Sequence, residues 1–234
     1  MPRPTIAIPG RFTESASALR YRGVVAARTL LEAVWAAGGD PHVLLPAQGP
    51  GALDWAERLR GMDGVLLPGG GDINPERYGG DAAHPEVYDV DDVQDETDVT
   101  LAQYVLAEGV PTLAVCRGLH IMNVVLGGTL IVDMPQHHRH HVHRVALEDP
   151  ADHLGVGADA ITCSCYHHQA VDRIGDGIVV LGRSEDGFVE AVQLPSRGWA
   201  AGVQWHPEDT YATDPAQLLP FRRLVEEAAL RASR

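Results

Sequence analysis

No apolar run in the chain approaches the roughly 20 residues that span a bilayer, and the first residues, Met1-Pro2-Arg3-Pro4, hold no hydrophobic signal region. Membrane insertion and export are therefore not expected, and a cytoplasmic location is. Cysteine is scarce: Cys116, Cys163 and Cys165 are the three, and an odd number without a secretory signal argues for reduced thiols rather than a disulfide scaffold. Basic charge is also short, with 18 Lys and Arg against 32 Asp and Glu and a formal net charge of −14. Such a field repels phosphate backbones and anionic lipid, which disfavours nucleic acid and membrane surfaces as partners. Internal repeats and low-complexity tracts are missing, so nothing divides the chain. What remains is 234 residues, 45% hydrophobic and 21% charged, an ordinary globular composition that suits one domain over 1–234.

The pattern alternates between strands and helices. Thr5-Ile6-Ala7-Ile8 reads as a strand, Ala18 to Ala37 as a helix closed by Gly38-Gly39, His42 to Leu45 as a strand and Leu53 to Leu59 as a helix. Gly64 to Leu67 is a strand running into Pro68-Gly69-Gly70-Gly71. A helix near Asp95 to Glu108 precedes Pro111 to Val115, a buried-strand run without polar alternation. Arg117 to Leu126 reads as the next helix. Short strands at 142–147, 178–181, 188–192 and 199–203 then suggest hairpins, and a last helix, Gln217 to Leu230, carries apolar Leu218, Leu219, Phe221, Leu224 and Val225. The expected class is α/β: a flavodoxin-like, mostly parallel central sheet with helices on both faces, plus a smaller antiparallel excursion.

Two local arrangements carry chemistry. In Leu113-Ala114-Val115-Cys116-Arg117-Gly118-Leu119 a strand delivers a cysteine to the start of a helix, the turn of a nucleophile elbow. The side chain there projects beyond the strand, and the Arg117 amide points at the same space. Free cysteines are also frequent small core residues, so a partner decides between the readings. Gly202-Val203-Gln204-Trp205-His206-Pro207-Glu208 offers one: a strand ending in His206, with Glu208 two residues on and able to hold the ring by its far nitrogen. Alone, the same residues also fit a solvated strand end.

With the loop Leu67 to Pro75, these two segments resemble the class I glutamine amidotransferase superfamily, and within it the γ-glutamyl-γ-aminobutyrate hydrolase group. Ala114 to Gly118, Gly127-Gly128-Thr129-Leu130, Tyr166 to Val171 and Ser184 to Ala191 are similar to that group in order and spacing. The resemblance implies Cys116 as nucleophile, His206 as general base and acid, and Glu208 as the residue orienting His206. It implies a small-molecule γ-glutamyl amide as substrate, hydrolysed through a γ-glutamyl thioester without a cofactor, and it brings Tyr166, His167 and His168 near the γ-glutamyl head. Ala114 replaces a glycine frequent in the superfamily. Thr162-Cys163-Ser164-Cys165 replaces a more usual Val-Asn-Ser, so substrate contacts beside Tyr166 are expected to differ, and the segment between elbow and Tyr166 is short for the group.

Three successive glycines allow close backbone approach, so Gly70 is the expected second oxyanion donor opposite Arg117, with Gly69 as the next choice and as a substrate-binding residue. His137, His138, His140, His141 and His143 are a competing signal. Imidazoles bind zinc, copper or nickel, yet no flanking ligands show a zinc spacing, so no metal is expected and a solvated rim loop is. Cys163 and Cys165 read as two buried residues on one side of a strand, able to join the histidines only through folding. The acidic stretch Asp89 to Asp98 reads as a solvated face. A glutaminase subunit passing ammonia to a separate synthetase, and a non-catalytic metal-binding regulator using the histidines, are the alternatives. A homodimer is the commonest assembly for such a protein.

Overall fold

The computed structural model describes residues 2–17, 19–46, 53–149 and 152–233; Met1 and Ala18, which entered two of the expectations above, lie outside them. Its strands are β1 (Thr5–Pro9), β2 (Arg11–Thr13), β3 (Gly23–Val25), β4 (Asp40–Leu44), β5 (Gly64–Leu67), β6 (Thr112–Val115), β7 (Leu130–Ile131), β8 (His138–Leu147), β9 (Ala160–His167), β10 (Ala170–Val171), β11 (Val179–Ser184), β12 (Val189–Gln193) and β13 (Ala200–Val203). The α-helices are α1 (Arg28–Ala36), α2 (Trp55–Arg58), α3 (Asp92–Glu108), α4 (Arg117–Val125) and α5 (Leu219–Ala232).

One nine-stranded sheet runs β4-β1-β5-β6-β13-β12-β11-β8-β9. Its first five strands are parallel, in the flavodoxin order 2-1-3-4-5 when counted along the chain. From β13 onward every pairing is antiparallel. The antiparallel wing is part of the main sheet and includes its two longest strands, β8 and β9.

Strand periodicity sorts the core into two layers. Ile6, Ile8, Leu66, Leu113 and Val115 face one way and pack with Leu30 and Val34 of α1 and Phe221, Leu224 and Ala228 of α5. Ala7, Val65, Leu67 and Ala114 face the other way, against Leu101 and Val105 of α3 and Leu119 and Met122 of α4. Helices thus cover both faces, as expected, and each fully buried Leu, Ile or Phe contributes about 1.5–3 kcal/mol.

Several boundaries differ. The helix expected over 18–37 is shorter: Arg11–Thr13 and Gly23–Val25 form a hairpin, and helix starts only at Arg28, because Gly23-Val24-Val25 favours extended backbone over a helical first turn. The last helix begins at Leu219 rather than Gln217 and is preceded by one tighter turn, Pro215–Leu218, since Pro220 suits the first turn of a helix but not its interior.

Candidate active site

The neighbouring parallel strands β5, β6 and β13 pair Leu67 with Ala114 and Val115 with Val203. Their carboxyl ends therefore lie side by side, where open α/β sheets bind ligands. From these ends the chain continues into the glycine loop after β5, into Cys116 after β6 and into the segment Gln204 to Glu208 after β13.

Cys116 sits at φ 49°, ψ −107°, a backbone state that costs of order 1–3 kcal/mol for a residue with a side chain. The surroundings fix it. Its amide donates to the Val203 carbonyl at 2.8 Å, and its own carbonyl accepts from His120 N at 3.2 Å as α4 begins. Gly118 makes the turn possible: a Cβ on it would stand 2.4 Å from the Leu67 carbonyl oxygen, so only glycine lets α4 begin this close to β5.

His206 is held by its backbone and its ring. Its amide donates to the Ser164 carbonyl at 2.8 Å, and Nδ1 pairs with Glu208 Oε1 at 2.8 Å. Glu208 is buried and projects from a tight turn, Pro207–Asp209, rather than from the strand extension that the sequence suggests. A proton on Nδ1 facing the carboxylate leaves Nε2 as the working nitrogen. Gly69 lies between this imidazole and the cysteine: a Cβ there would meet His206 Cε1 at 2.8 Å and Cys116 Cβ at 3.7 Å. Burial disfavours the imidazolium, but the charges of Cys116 and Glu208 outweigh it and hold His206 well above the usual histidine range.

The glycine loop is anchored by a residue the sequence did not single out. Arg11 donates Nη2 to the Pro68 carbonyl at 3.1 Å, Nε to the Gly69 carbonyl at 3.2 Å and Nη1 to Asp98 Oδ2 at 2.6 Å. On the far side, the Arg117 guanidinium is buried against Asp95 and Asp98. Gly70 lies against both arginine side chains, so a Cβ there would crowd Arg11 Nε and Arg117 Cδ at 2.8 and 3.1 Å.

This corrects the reading of Asp89 to Asp98 as a solvated face, because Asp95 and Asp98 are fully buried. Burial alone would raise the Asp98 carboxyl, yet Arg11 and Arg117 keep it below the ordinary carboxylate range. The available signal was spacing, since Asp95 and Asp98 stand three apart on one helix face.

Beside Cys116, Gly70, Asp72, Tyr88, Tyr166 and His168 help to line a small cleft open to solvent. The three residues expected at the substrate head are placed differently from one another. Tyr166 is 46% exposed. His168 is clamped, Nε2 to Asp72 Oδ1 and Nδ1 to Asp133 Oδ1, both at 3.0 Å; burial opposes its charge, but the two carboxylates raise it above the usual range. His167 also reaches the cavity wall, with Nδ1 on the Gln169 carbonyl at 2.9 Å. Beneath the thiol, Gln204 Nε2 lies 3.8 Å from Cys116 Sγ, and its Oε1 lies 2.7 Å from His120 Nε2. Burial lowers His120 to about 3, so it is neutral.

The histidine run is not a loop, since His138 begins β8. His137 pairs with Asp133, while His138 and His143 turn inward. Ile161, Cys163, Cys165 and His167 share the buried side of β9, the one-sided placement expected of the two cysteines. Burial, reinforced by Glu190, pushes both thiols far up. Among the described residues no helix is long and apolar enough to cross a membrane.

The Peptidase C26 model matches residues 4–208. A Mycobacterium tuberculosis protein named "Putative glutamine amidotransferase Rv2859c" is 34% identical over 211 residues, covering 85% of this chain and 66% of that protein. The chain thus spans just under two thirds of that relative. The Escherichia coli (strain K12) γ-glutamyl-γ-aminobutyrate hydrolase PuuD is 30% identical over 198 residues, 76% of each chain. Among solved structures, a Thermoplasma acidophilum protein described as "a putative gmp synthase subunit a protein" superposes with a TM-score of 0.69 over 99% of this chain and 96% of that one, at 14% identity, a likeness of fold.

Proposed function

Because this chain belongs to the Peptidase C26 family of class I glutamine amidotransferase-like proteins, we propose that it is a cysteine-dependent hydrolase of γ-glutamyl amides. Residues 1–234 act as one catalytic domain, in the cytoplasm, on a small-molecule γ-glutamyl amine, with Cys116, His206 and Glu208 as the triad. The observation that carries the reading is the His206–Glu208 pair at 2.8 Å, facing Cys116 across Gly69.

Cys116 Sγ passes its proton to His206 Nε2 and attacks the γ-carbonyl carbon, forming the C–S bond. The amides of Arg117 and Gly70 hold the oxyanion, each donor being worth roughly a hundred- to a thousand-fold in rate. The C–N bond breaks as His206 returns the proton to the departing amine, which leaves a γ-glutamyl thioester. Water then gives a proton to His206 and adds to the thioester, the C–S bond breaks, and the sulfur recovers its proton as glutamate leaves. Glu208 keeps the ring in the tautomer that both steps need. No cofactor enters.

Among the head-group candidates, His168 has both ring nitrogens engaged by carboxylates and forms a charged wall. Tyr166 keeps an exposed side chain and contacts the substrate. Arg139, the register partner of Tyr166 in β8, lies over the Tyr88 ring at 5.5 Å. Among the described residues it makes no salt bridge, and this suits it to the substrate's α-carboxylate.

The test is glutamate release from a panel of γ-glutamyl amides, including γ-glutamyl-γ-aminobutyrate and glutamine, with Cys116→Ala as blank. Turnover of at least one γ-glutamyl amine by the wild-type chain alone, lost in the variant, is the expected result. Cleavage of glutamine only would favour an ammonia-supplying glutaminase, and a wholly intact panel would refute hydrolysis.

A further inference from the structure

Behind the cavity, on the antiparallel wing, four buried side chains from three strands converge. His138 stands at the start of β8, Cys165 and His167 lie on β9, and Glu190 lies on β12. One ligand-type atom from each falls within 4.8 Å of every other, and none of the four residues is more than 4% exposed. The pairing explains the convergence: His138 is directly opposite His167, Cys165 is two residues back on the same face, and Glu190 comes in beneath them.

The proton positions are set from outside the cluster. His138 Nε2 lies 2.8 Å from Asp186 Oδ2, so its proton belongs there and Nδ1 turns a lone pair inward. His167 Nδ1 lies 2.9 Å from the Gln169 carbonyl, which can only accept, so Nε2 likewise points a lone pair inward. Glu190 Oε1 completes the set, 3.4 Å from His138 Nδ1 and 3.7 Å from His167 Nε2. All three inward atoms are buried without a hydrogen-bond partner. Cys165 Sγ stands 3.9 Å from the other Glu190 oxygen. Two lone pairs and a carboxylate oxygen aimed at one point repel unless a metal ion or a shared proton lies between them.

We infer that this cluster is a structural divalent-metal site, suited to Zn²⁺, with His138 Nδ1, His167 Nε2, Cys165 Sγ and Glu190 as ligands. The edge of a zinc tetrahedron is about 3.3 Å between nitrogen or oxygen ligands and about 3.6 Å from these to sulfur, from bond lengths of ~2.0–2.1 and ~2.3 Å; the two imidazole spacings to Glu190 Oε1 lie within about 0.4 Å of that edge, and the other ligand pairs fall within 4.8 Å. Imidazole, thiolate and carboxylate are a zinc donor set. Binding releases one proton, from Cys165, and the thiolate and Glu190 then neutralise the ion. A carboxylate on the far nitrogen of His138 and a backbone carbonyl on that of His167 are the supports that metal-bound histidines ordinarily have. His143 Nε2, 3.1 Å from Cys165 Sγ, supplies a hydrogen bond to the sulfur. The expectation of no metal rested on spacing within 137–143, whereas three of the four ligands lie outside that stretch. The site has a positioning role, because Ser164, next to Cys165, accepts from the His206 amide, and the Glu190 carbonyl accepts from the Gln204 amide at 2.7 Å.

The experiment titrates Co²⁺ into untagged, chelator-stripped protein carrying Cys116→Ser, which leaves Cys163 and Cys165 as the only thiols and makes the readout independent of catalysis. Expected are one equivalent of bound Co²⁺, visible bands of tetrahedral intensity, and a sulfur-to-cobalt charge-transfer band that Zn²⁺ displaces. Cys165→Ser should remove the charge-transfer band, while Cys163→Ser and His141→Gln should preserve it. Asp186→Asn, at a partly exposed position, should weaken binding about ten- to a hundred-fold without unfolding the chain. Absence of a saturable Co²⁺ spectrum in the folded protein would overturn the site, as would a charge-transfer band that survives Cys165→Ser or disappears with His141→Gln.

Discussion

Gly118→Ala tests whether the contact between α4 and β5 sets the reactivity of Cys116. The added methyl would lie 2.4 Å from the Leu67 carbonyl oxygen and 2.9 Å from both its carbonyl carbon and Cβ. An ordinary carbon–oxygen approach is about 3.3 Å or more, so the start of α4 has to retreat by ~1 Å. Backbone atoms cannot rotate aside as a flexible side-chain tip can. Because Cys116 and Arg117 are the first residues of that helix end, the retreat moves the thiol and the proposed oxyanion amide together. A displacement of that size costs about a hundred-fold in a reaction that depends on alignment, and the overpacking costs about 1–3 kcal/mol of stability. The assay is kcat/KM on whichever γ-glutamyl amide the wild type cleaves, beside the rate of iodoacetamide alkylation at Cys116, at urea concentrations well below the variant's unfolding midpoint. A stably folded variant with wild-type turnover and alkylation would refute the reasoning.

Glu208→Gln should lower kcat by roughly 10³- to 10⁴-fold and draw the alkaline limb of the pH–rate profile toward lower pH, since a charge that raises His206 is gone. Its stability effect has a definite sign: with the folded value above the unfolded ~6.5, the His206 contribution is complete below that pH and is lost as pH rises through the folded value. Urea midpoints should therefore separate wild type from variant more at pH 6 than at high pH. His120, lowered by burial to about 3, works the other way, because the unfolded chain takes up a proton below ~6.5 while the folded chain does not. Its contribution is complete above that pH and falls by about 1.4 kcal/mol per unit as the solution is acidified; His120→Gln should flatten the acid limb of stability against pH measured by urea unfolding. Arg139→Ala should raise KM for a γ-glutamyl amide about ten-fold or more with little change in kcat, whereas an equal loss in kcat would assign it a role in the chemical step.

The central parallel strands were legible because β5 and β6 are short apolar runs that stop at a glycine loop or at the cysteine, patterns that need no tertiary information; the parallel pairing of β13 with β6 was not, since 199–203 reads equally as a hairpin strand. Cys116 and the His206–Glu208 pair were legible for the same reason, each lying within a few residues of a strand end. Arg11 was not: its value comes from crossing to the Pro68 and Gly69 carbonyls, 57 and 58 residues away in sequence. Asp95 and Asp98 looked solvated because carboxylates usually are, and only the two arginines arriving from β2 and α4 make their burial tolerable. In the histidine run, a bulge in β8 keeps the rings of His138, His141 and His143 together and sets His140 against Tyr166, while strand pairing brings Cys165, His167 and Glu190 beside His138, neighbours that spacing along the chain does not reveal.

The positive φ at Cys116 has a consequence for how damage to this protein would be noticed. A glycine there would relax the backbone and offset part of what is lost with the thiol's packing, so a chain stripped of its sulfur need not melt earlier than the intact one. Surveys that rank variants by abundance or heat resistance would pass such a chain as healthy, and only a reagent that reports on the sulfur itself would tell them apart.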